Sequence, residues 1–485
     1  MNPWAMMTAW LVPLLLGSGL YVLIVGWPRR SCDRLVAGGL GWIVGVLLCG
    51  VLARLLASTD PAHVLERVSP WAALIGVGGW LVAWWMRASS PEMVAPPAQQ
   101  SPIARRWWPW ALVVLVLLGW RGWLLASDIL LHPTLPWDAW AAWQAKAKTW
   151  VMAGQIAPFV SFADWLAHPK VLLRTGIGYS YPDLLPWTMV WFAGVGGWIE
   201  PWINLAWFGL WVALLVAQFG QLRALGVASS HAWVGVYLLG SLPLLESHVA
   251  LGGYADLWVA ALFAQAAFAW LRWHCRSERR QLGIVVGVIV LLPMVKLEGA
   301  VWAIVLGAAS VFSSLPAWSR QRRLLLGFAF ATTLILLSVA FGAAWISVAR
   351  RYIGNNATFS LLDVSDSLNA FCTGLWAQGN WNLFWFALPA VMFANRHTWI
   401  RSDTARRLAV LAGVSFLLIA GLFVFTAAAR YAQSYSAVNR LMLQLTPMLV
   451  ALFLLALKSP DASLPNATVK LDVSGRGSAR RSDTG

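Results

Sequence analysis

The chain is poor in ionisable side chains. Charged residues make up 11% of its 485 positions, with 19 Asp and Glu, 7 His and 4 Cys. About a quarter of the residues of an average soluble domain are charged, so this composition excludes an ordinary soluble globular protein. The few cysteines stand far apart, which indicates neither a disulfide framework nor a cysteine-ligated metal site.

The sequence is instead rich in long apolar runs. Hydrophobic residues account for 60% of the chain, 35 residues are Trp, and the mean hydropathy is +0.67. A helix needs about 20 apolar residues to cross a bilayer, and over runs this long only helices satisfy their own backbone hydrogen bonds in lipid. The sequence therefore predicts an all-α polytopic membrane protein with about thirteen transmembrane helices. The expected spans are 5–26, 35–56, 71–87, 107–126, 200–219, 228–246, 254–272, 281–295, 297–315, 324–346, 382–395, 408–429 and 440–457.

The basic residues predict the orientation. They cluster in short segments at alternate ends of the predicted spans, and the positive-inside rule assigns these segments to the cytoplasm. The net charge of +16 is therefore interpreted as a topology signal, with the lipid bilayer and no nucleic acid as a partner. The same assignment places the N-terminus and the segments 127–199, 247–253, 347–381 and 430–439 outside, and the C-terminus in the cytoplasm. The apolar piece 184–198 fits this topology only as a periplasmic or interfacial helix.

Composition divides the chain into three parts. Residues 1–106 hold three spans and a Pro-rich cytoplasmic linker, 89–101, and are interpreted as an N-terminal extension. Residues 107–457 form the predicted transmembrane core, including the long outer loop 127–199. The polar and charged tail 458–485 has little to bury, so disorder is expected there.

One acid stands at the head of a Trp-rich segment directly after the fourth span. If 138–150 is helical, Trp140, Trp143 and Trp150 share one side and would rest at the lipid interface. The helix would then lie flat on the outer leaflet and offer Lys146 to a lipid phosphate. Asp138 has two interpretations, a base at the bilayer surface or the N-cap of this helix.

Further ionisable groups lie at the predicted outer ends of spans. Glu246 and Asp256 bracket a short loop, where an ionisable group is costly enough to indicate function. A helix N-cap is the equal alternative for Asp256. Lys296 and Glu298 interrupt two apolar runs, and they either neutralise each other or leave Lys296 to pair with a phosphate.

Four arginines depart from the positive-inside pattern because they fall on the predicted outer face. They are Arg350, Arg351, Arg430 and Arg440. Cations in a place that topology disfavours indicate an anionic partner, with anchoring to lipid headgroups as the alternative.

An aromatic segment follows in the outer loop. Tyr179, Tyr181 and Trp187 would suit a wall against which a sugar packs, or they anchor the segment at the interface. The sequence has no phosphate-cradling glycine loop, nucleophile elbow or His-rich metal pattern. Asp363 and Asp366 are three positions apart, so there is no Asp-x-Asp pair for a divalent cation.

The order of these elements resembles the GT-C class of integral-membrane glycosyltransferases, in particular the bacterial relatives of protein mannosyltransferases and the lipid A aminoarabinose transferase. The resemblance covers about 107–457 and predicts a GT-C-like helical bundle with the outer-face interfacial helix after span 4. It is carried, in order, by Trp137-Asp138-Ala139-Trp140, Tyr181-Pro182-Asp183-Leu184-Leu185-Pro186, Gly253-Tyr254-Ala255-Asp256, the Lys296 element, and Arg440 before Pro447.

This resemblance implies transfer of a sugar from a polyprenyl phosphate to an acceptor on the outer face of the bacterial inner membrane, with inversion at the anomeric carbon. The acceptor would be a glycan, a lipid or a protein. Carried onto matching positions, the resemblance makes Asp138 the base, Asp256 a positioning group, Lys296 a ligand of the lipid phosphate and Arg440 a second one. Beside these we place Glu246, Tyr181 and Asp183 among the acceptor or sugar positioning groups, and Lys146 and Arg351 among the phosphate ligands. No cofactor is assigned. The three leading spans and the missing Asp-x-Asp pair depart from the metal-using members and leave a divalent metal open.

Two other functions stay open at this point. A transporter or flippase of lipid-linked saccharides would place charged residues near mid-membrane and show paired broken helices in two similar halves. An O-antigen ligase or polymerase type of enzyme would depend on outer-face arginines, Arg350, Arg351 and Arg430, more than on Asp138.

Overall fold

The structure, a computed structural model, describes residues 2–88, 108–169, 171–314 and 364–457. These residues are nearly all helical, as predicted. The exception is a parallel pair of two-residue strands, β1 (Phe159–Val160) and β2 (Arg174–Thr175). The predicted span 324–346, the linker 89–101, the tail 458–485 and the residues Arg350 and Arg351 lie outside the described residues.

The helices follow the chain in this order: α1 (Pro3–Val25), α2 (Ser31–Leu56), α3 (Val64–Ala88), α4 (Trp108–Leu131), α5 (Gln144–Ala153), α6 (Phe162–Ala167), α7 (Leu184–Ala193), α8 (Glu200–Ala224), α9 (Ser229–Gly240), α10 (Pro243–Ala250), α11 (Asp256–Arg276), α12 (Gln281–Val295), α13 (Leu297–Ser314), α14 (Val364–Trp376), α15 (Phe384–Ala394), α16 (Arg396–Arg401), α17 (Asp403–Phe425), α18 (Ala429–Gln433) and α19 (Val438–Ala456). A 3₁₀ turn (Pro61–His63) precedes α3, and a π-helical turn (Ala139–Trp143) precedes α5.

Seven helices within the described residues are long and apolar enough to cross a membrane. They are α1, α2, α3 with its preceding turn, α4, α8, α17 and α19. Exposed tryptophans lie near the ends of several, including Trp4, Trp84, Trp85, Trp108 and Trp110. Indoles favour this depth because their apolar rings and N–H groups are satisfied by different layers. The structure thus supports a helical membrane protein with several spans, and the count of thirteen stays a prediction.

The first three helices approach each other closely. A Cβ atom added at Gly17 would lie 1.8 Å from the carbonyl oxygen of Gly41, and one at Gly19 would lie 2.2 Å from that of Gly76. Small residues allow such contact, and in lipid close packing is a main source of helix association. On its other side α2 packs against α7 and α8, so the N-terminal helices share one apolar core with the rest of the chain.

Two predicted elements differ from the structure. The expected span 228–246 is two helices, α9 and α10, because Pro243 starts a new helix at its first turn. Residues 184–193 of the apolar piece 184–198 form α7, all of whose residues are buried, and the Trp191 indole donates to the Ala9 carbonyl at 3.0 Å. An interfacial helix would expose one face to lipid, so that part of the prediction is wrong. α7 is a helix of the protein core.

Helix α11 lies at the centre of the molecule and positions the site. Every residue from Asp256 to Arg272 is buried. α11 packs against α8, α12 and α19, and α19 is itself buried along most of its length. The first residue of α11, the start of α19 and the junction of α12 with α13 meet at one end of the bundle.

Candidate functional site

The segment after Asp138 is helical, and protein covers much of its surface. The π-helical turn continues into α5, which packs against α7. Trp143 and Trp150 are buried, with Trp143 against Tyr181 at 5.0 Å between ring centroids. Only Trp140 of the three indoles is half exposed. The prediction that these indoles rest at the lipid interface is therefore wrong for Trp143 and Trp150, because protein covers their side of the helix.

Asp138 precedes the π-helical turn, yet its carboxylate does not cap it. The carboxylate instead accepts a hydrogen bond from the Arg440 guanidinium through Oδ2. The Asp138 side chain is 33% exposed, and no described residue donates to its other oxygen. Asp138 therefore keeps one carboxylate oxygen open to a ligand.

Asp256 is the first residue of α11 and is wholly buried. Its side chain does not cap the helix either. Lys296 donates to Oδ1 at 2.8 Å, Gln444 donates to the same oxygen at 2.7 Å, and Arg440 donates twice to Oδ2, at 3.0 and 3.1 Å. Four charge-assisted bonds of this length hold the carboxylate in one orientation.

Lys296 joins α12 to α13 in an extended conformation, with φ −154° and ψ 151°. Its buried ammonium donates to Asp256 and lies 3.2 Å from Oε1 of Glu298. The second oxygen of Glu298 is buried and has no partner among the described residues. The two predicted roles of Lys296 are compatible, because an ammonium has three N–H groups and these carboxylates use two.

Arg440, in the first turn of α19, connects the two aspartates. It bonds both Asp138 and Asp256, and its guanidinium carbon lies 4.5 Å from the centre of the Tyr254 ring. Gly253 allows both aspartates to reach the same guanidinium. Its φ is +110°, and an added Cβ would lie 2.5 Å from Cβ of Ala139. A bare backbone is required where the loop before α11 touches the turn after Asp138.

We call Asp138, Arg440, Asp256, Lys296 and Glu298 the charged network. It holds three acids and two cations, with exposure falling from Asp138 to the buried Asp256. Taking such charges out of water costs several kcal/mol per ion before pairing recovers part of it, on the order given for buried ion pairs. Ionisable groups kept in an apolar helical bundle at this cost indicate a functional site.

Tyr181 lies beside the network. Burial and the nearby Glu298 carboxylate raise the pKa of Tyr181 to about 12, with Lys296 and Arg440 opposing them. The phenol is therefore neutral at physiological pH and can donate a hydrogen bond. Its ring also packs on Trp143 of the turn that follows Asp138.

Lys146 and Asp183 form a separate pair next to Tyr181. The Lys146 ammonium is buried and donates to Asp183 at 2.8 Å and to the carbonyls of Tyr179 and Tyr181 at 3.2 and 2.7 Å. Burial lowers the pKa of Lys146, and the Asp183 carboxylate opposes that shift. All three N–H groups are used, which leaves none for the lipid phosphate that was predicted as its partner.

Glu246 and Arg430 have partners outside the network. Glu246 pairs with Arg121 at 2.5 Å and ties α10 to α4. Arg430 is exposed, with its guanidinium 4.8 Å from the centre of the Tyr431 ring. Arg351 lies outside the described residues.

Sequence reasoning missed two residues of the site, Gln444 and Tyr254. Gln444 lies one turn after Arg440 on the same face of α19, and its side chain also accepts from the Trp302 indole. An amide inside the last apolar run, four residues after an arginine, was the signal that could have found it. Tyr254 was visible only as part of the segment before Asp256.

An apolar cavity of about 620 Å³ between α4, α8 and α9 is distinct from the charged network. Its walls include Gly119, Gly122, Trp123, Trp211 and Phe219, and none of the network residues lines it. It suits a hydrocarbon chain and not a sugar, so the candidate site is the network.

Within the described residues no three His, Cys, Asp or Glu side chains are grouped as metal ligands. Comparison of the chain with protein-family models, with curated proteins and with solved structures finds no match. Function is therefore inferred from the geometry and chemistry of the charged network.

Proposed function

We propose that the protein is a GT-C-type glycosyltransferase that moves a sugar from a polyprenyl phosphate to an acceptor hydroxyl, with inversion. One observation carries the proposal. The partly exposed carboxylate of Asp138 pairs with the Arg440 guanidinium. The same guanidinium pairs with the buried carboxylate of Asp256, which also pairs with Lys296. A base and two cations therefore meet at one end of an apolar bundle.

The reaction requires this combination. The acceptor oxygen attacks the anomeric carbon while the bond from that carbon to the phosphate oxygen breaks. The acceptor proton passes to the open oxygen of Asp138, and the phosphate leaves with the bonding electron pair. A positioned base contributes about 10²- to 10⁴-fold to such a step.

The leaving phosphate needs the cations. Arg440 has five N–H groups, and the two aspartates engage its Nε, Nη1 and Nη2 atoms with three of them. The two remaining N–H groups of Arg440 and the third N–H of Lys296 are then donors for phosphate oxygens, and their use does not break the network. Removing one such electrostatic donor typically costs about 10²- to 10³-fold in turnover.

The remaining assignments follow from the same proposal. Asp256 orients both cations, and Tyr181 borders the sugar. The predicted orientation puts this end of the bundle on the periplasmic side of the bacterial inner membrane, with the N-terminus outside and the C-terminus inside. The acceptor is a glycan, a lipid or a protein, and the spans beyond the seven complete a thirteen-helix bundle.

Release of polyprenyl phosphate tests the donor class. The purified protein in detergent is incubated with a crude envelope acceptor and one donor at a time. The donors are several polyprenyl-phosphate sugars, a polyprenyl-diphosphate oligosaccharide and a nucleotide sugar. The proposal expects turnover with a polyprenyl-phosphate sugar only, in the wild type and in Asp60→Asn, an acid between α2 and α3 that pairs with Arg67.

Release from the diphosphate-linked oligosaccharide alone would favour the ligase type of enzyme. No release from any donor, by protein that elutes as a single folded species, would overturn the proposal. A transport assay with lipid-linked saccharides in vesicles would then test the flippase function.

A further inference from the structure

We infer that Lys146 is a positioning residue, a buried clamp that holds the segment 176–183 against the turn after Asp138 and fixes Tyr181 beside the charged network. The inference rests on the proposed function and deepens it. It replaces the predicted role of Lys146 as a phosphate ligand.

Each of the three N–H groups of the Lys146 ammonium has an oxygen partner. The Lys146 ammonium is 2% exposed and has three oxygen partners, the carbonyls of Tyr179 and Tyr181 and the carboxylate of Asp183. An unpaired ammonium would be costly at this depth, so these bonds favour one path of the 179–183 backbone. Asp183, 36% exposed, neutralises the charge from the solvent side.

The segment is also pressed against the π-helical turn. A Cβ atom added at Gly178 would lie 2.5 Å from Cα of Ala142, so the two backbones touch where Gly178 has no side chain. The Tyr181 ring packs on Trp143 of the same turn. Three contacts thus tie 176–183 to the segment that begins at Asp138.

A loop fixed in this way defines one wall of the site. Tyr181 contacts the turn that follows Asp138 through Trp143, at 5.0 Å between ring centroids, and its pKa responds to the charges of the network. Misplacement of a positioning group by about 1 Å can lower turnover by roughly a hundredfold. Loss of the Lys146 bonds is therefore expected to slow the reaction. The cations that bind the donor phosphate should keep their positions.

Lys148 provides a matched control. It lies on the same helix, two residues away, and pairs with an acid, Glu200, at 2.9 Å, but its side chain is 51% exposed. Lys146→Met and Lys148→Met therefore remove the same charge from a buried clamp and from a surface pair. Asp183→Asn weakens the clamp from its exposed side, should Lys146→Met fail to fold.

The test combines amide hydrogen exchange of 176–183 with kinetics on the active donor. Lys146→Met or Asp183→Asn is expected to speed exchange in this segment and to lower kcat about tenfold or more, with the donor KM within about twofold of the wild type. Lys148→Met should change neither.

Unchanged exchange in both clamp variants would overturn the inference, and so would faster exchange with wild-type turnover. A rise in donor KM at unchanged kcat would restore Lys146 as a phosphate ligand. If the wild type releases nothing from any donor, the proposed function fails and the catalytic role of the clamp fails with it. The exchange data would still show whether Lys146 fixes the segment.

Discussion

At the scale of single residues, two acids predicted for the same role have different surroundings. Asp256 is surrounded by cations of the charged network, whereas Glu246 bonds Arg121 of α4. Both stand near the predicted outer end of a span, and sequence position alone does not separate them. Their partners lie 40 to 188 residues away along the chain, so only the packed bundle decides which acid joins the network.

The Glu246 pair is expected to act as a link between helices and not in transfer. Glu246→Gln and Arg121→Gln should each lower stability, and the double variant should lose less than the sum, with a coupling energy of about 0.5–3 kcal/mol. Unfolding in mixed detergent micelles measures the three losses. Transfer activity should stay within about twofold of the wild type, and a hundredfold loss of kcat in Glu246→Gln would place it in the site after all.

At the scale of helices, the close packing of α1 against α2 makes a sharp prediction. Gly41→Ala would put a Cβ atom 2.7 Å from the backbone of Ser18, whereas Gly38→Ala, on the same helix, has no atom within 4 Å. Overpacking costs about 1–3 kcal/mol, and alanine is the better helix former at an open position. Gly41→Ala should lower the midpoint of thermal unfolding, and Gly38→Ala should not. Equal midpoints would contradict the packing of these helices.

The positions of most described helices could be predicted from apolar length, since α1, α2, α8 and α19 begin and end within a few residues of their expected spans. Two features could not. Pro243 was present in the sequence, but an apolar run continues on both sides of it, so the break was overlooked. α7 is apolar all round, and such a helix of ten residues fits an interface and a protein core equally well until its neighbours are known.

The same limit applies to the candidate site. Asp138, Asp256, Lys296 and Arg440 stood out because charge is rare in this chain, and the structure brings all four together. Lys146 stood out for the same reason, yet two of its three partners are backbone carbonyls, which leave no trace in the side-chain pattern. Rarity of charge therefore identified candidate residues, whereas their pairing depended on the fold.

At the scale of the whole molecule, the orientation predicts which surfaces face the periplasm. In a background without Cys32, Cys49, Cys275 and Cys372, single cysteines are introduced as Asp164→Cys in the outer loop and Arg279→Cys between α11 and α12. A membrane-impermeant maleimide should label the first in intact cells and the second only after permeabilisation. The reverse pattern would place the charged network at the cytoplasmic face and exclude a periplasmic acceptor.

The role of Asp138 is the central claim, and a single-turnover comparison tests it most directly. Donor binding and release of polyprenyl phosphate are measured with wild type, Asp138→Asn and Asp60→Asn. Since Asn keeps a carbonyl oxygen for Arg440 but is no base, Asp138→Asn should bind the donor within a few fold of the wild type and release phosphate about 10²- to 10⁴-fold more slowly. Asp60→Asn should match the wild type in both measurements. Release by Asp138→Asn at the wild-type rate would contradict the assignment of Asp138 as the base.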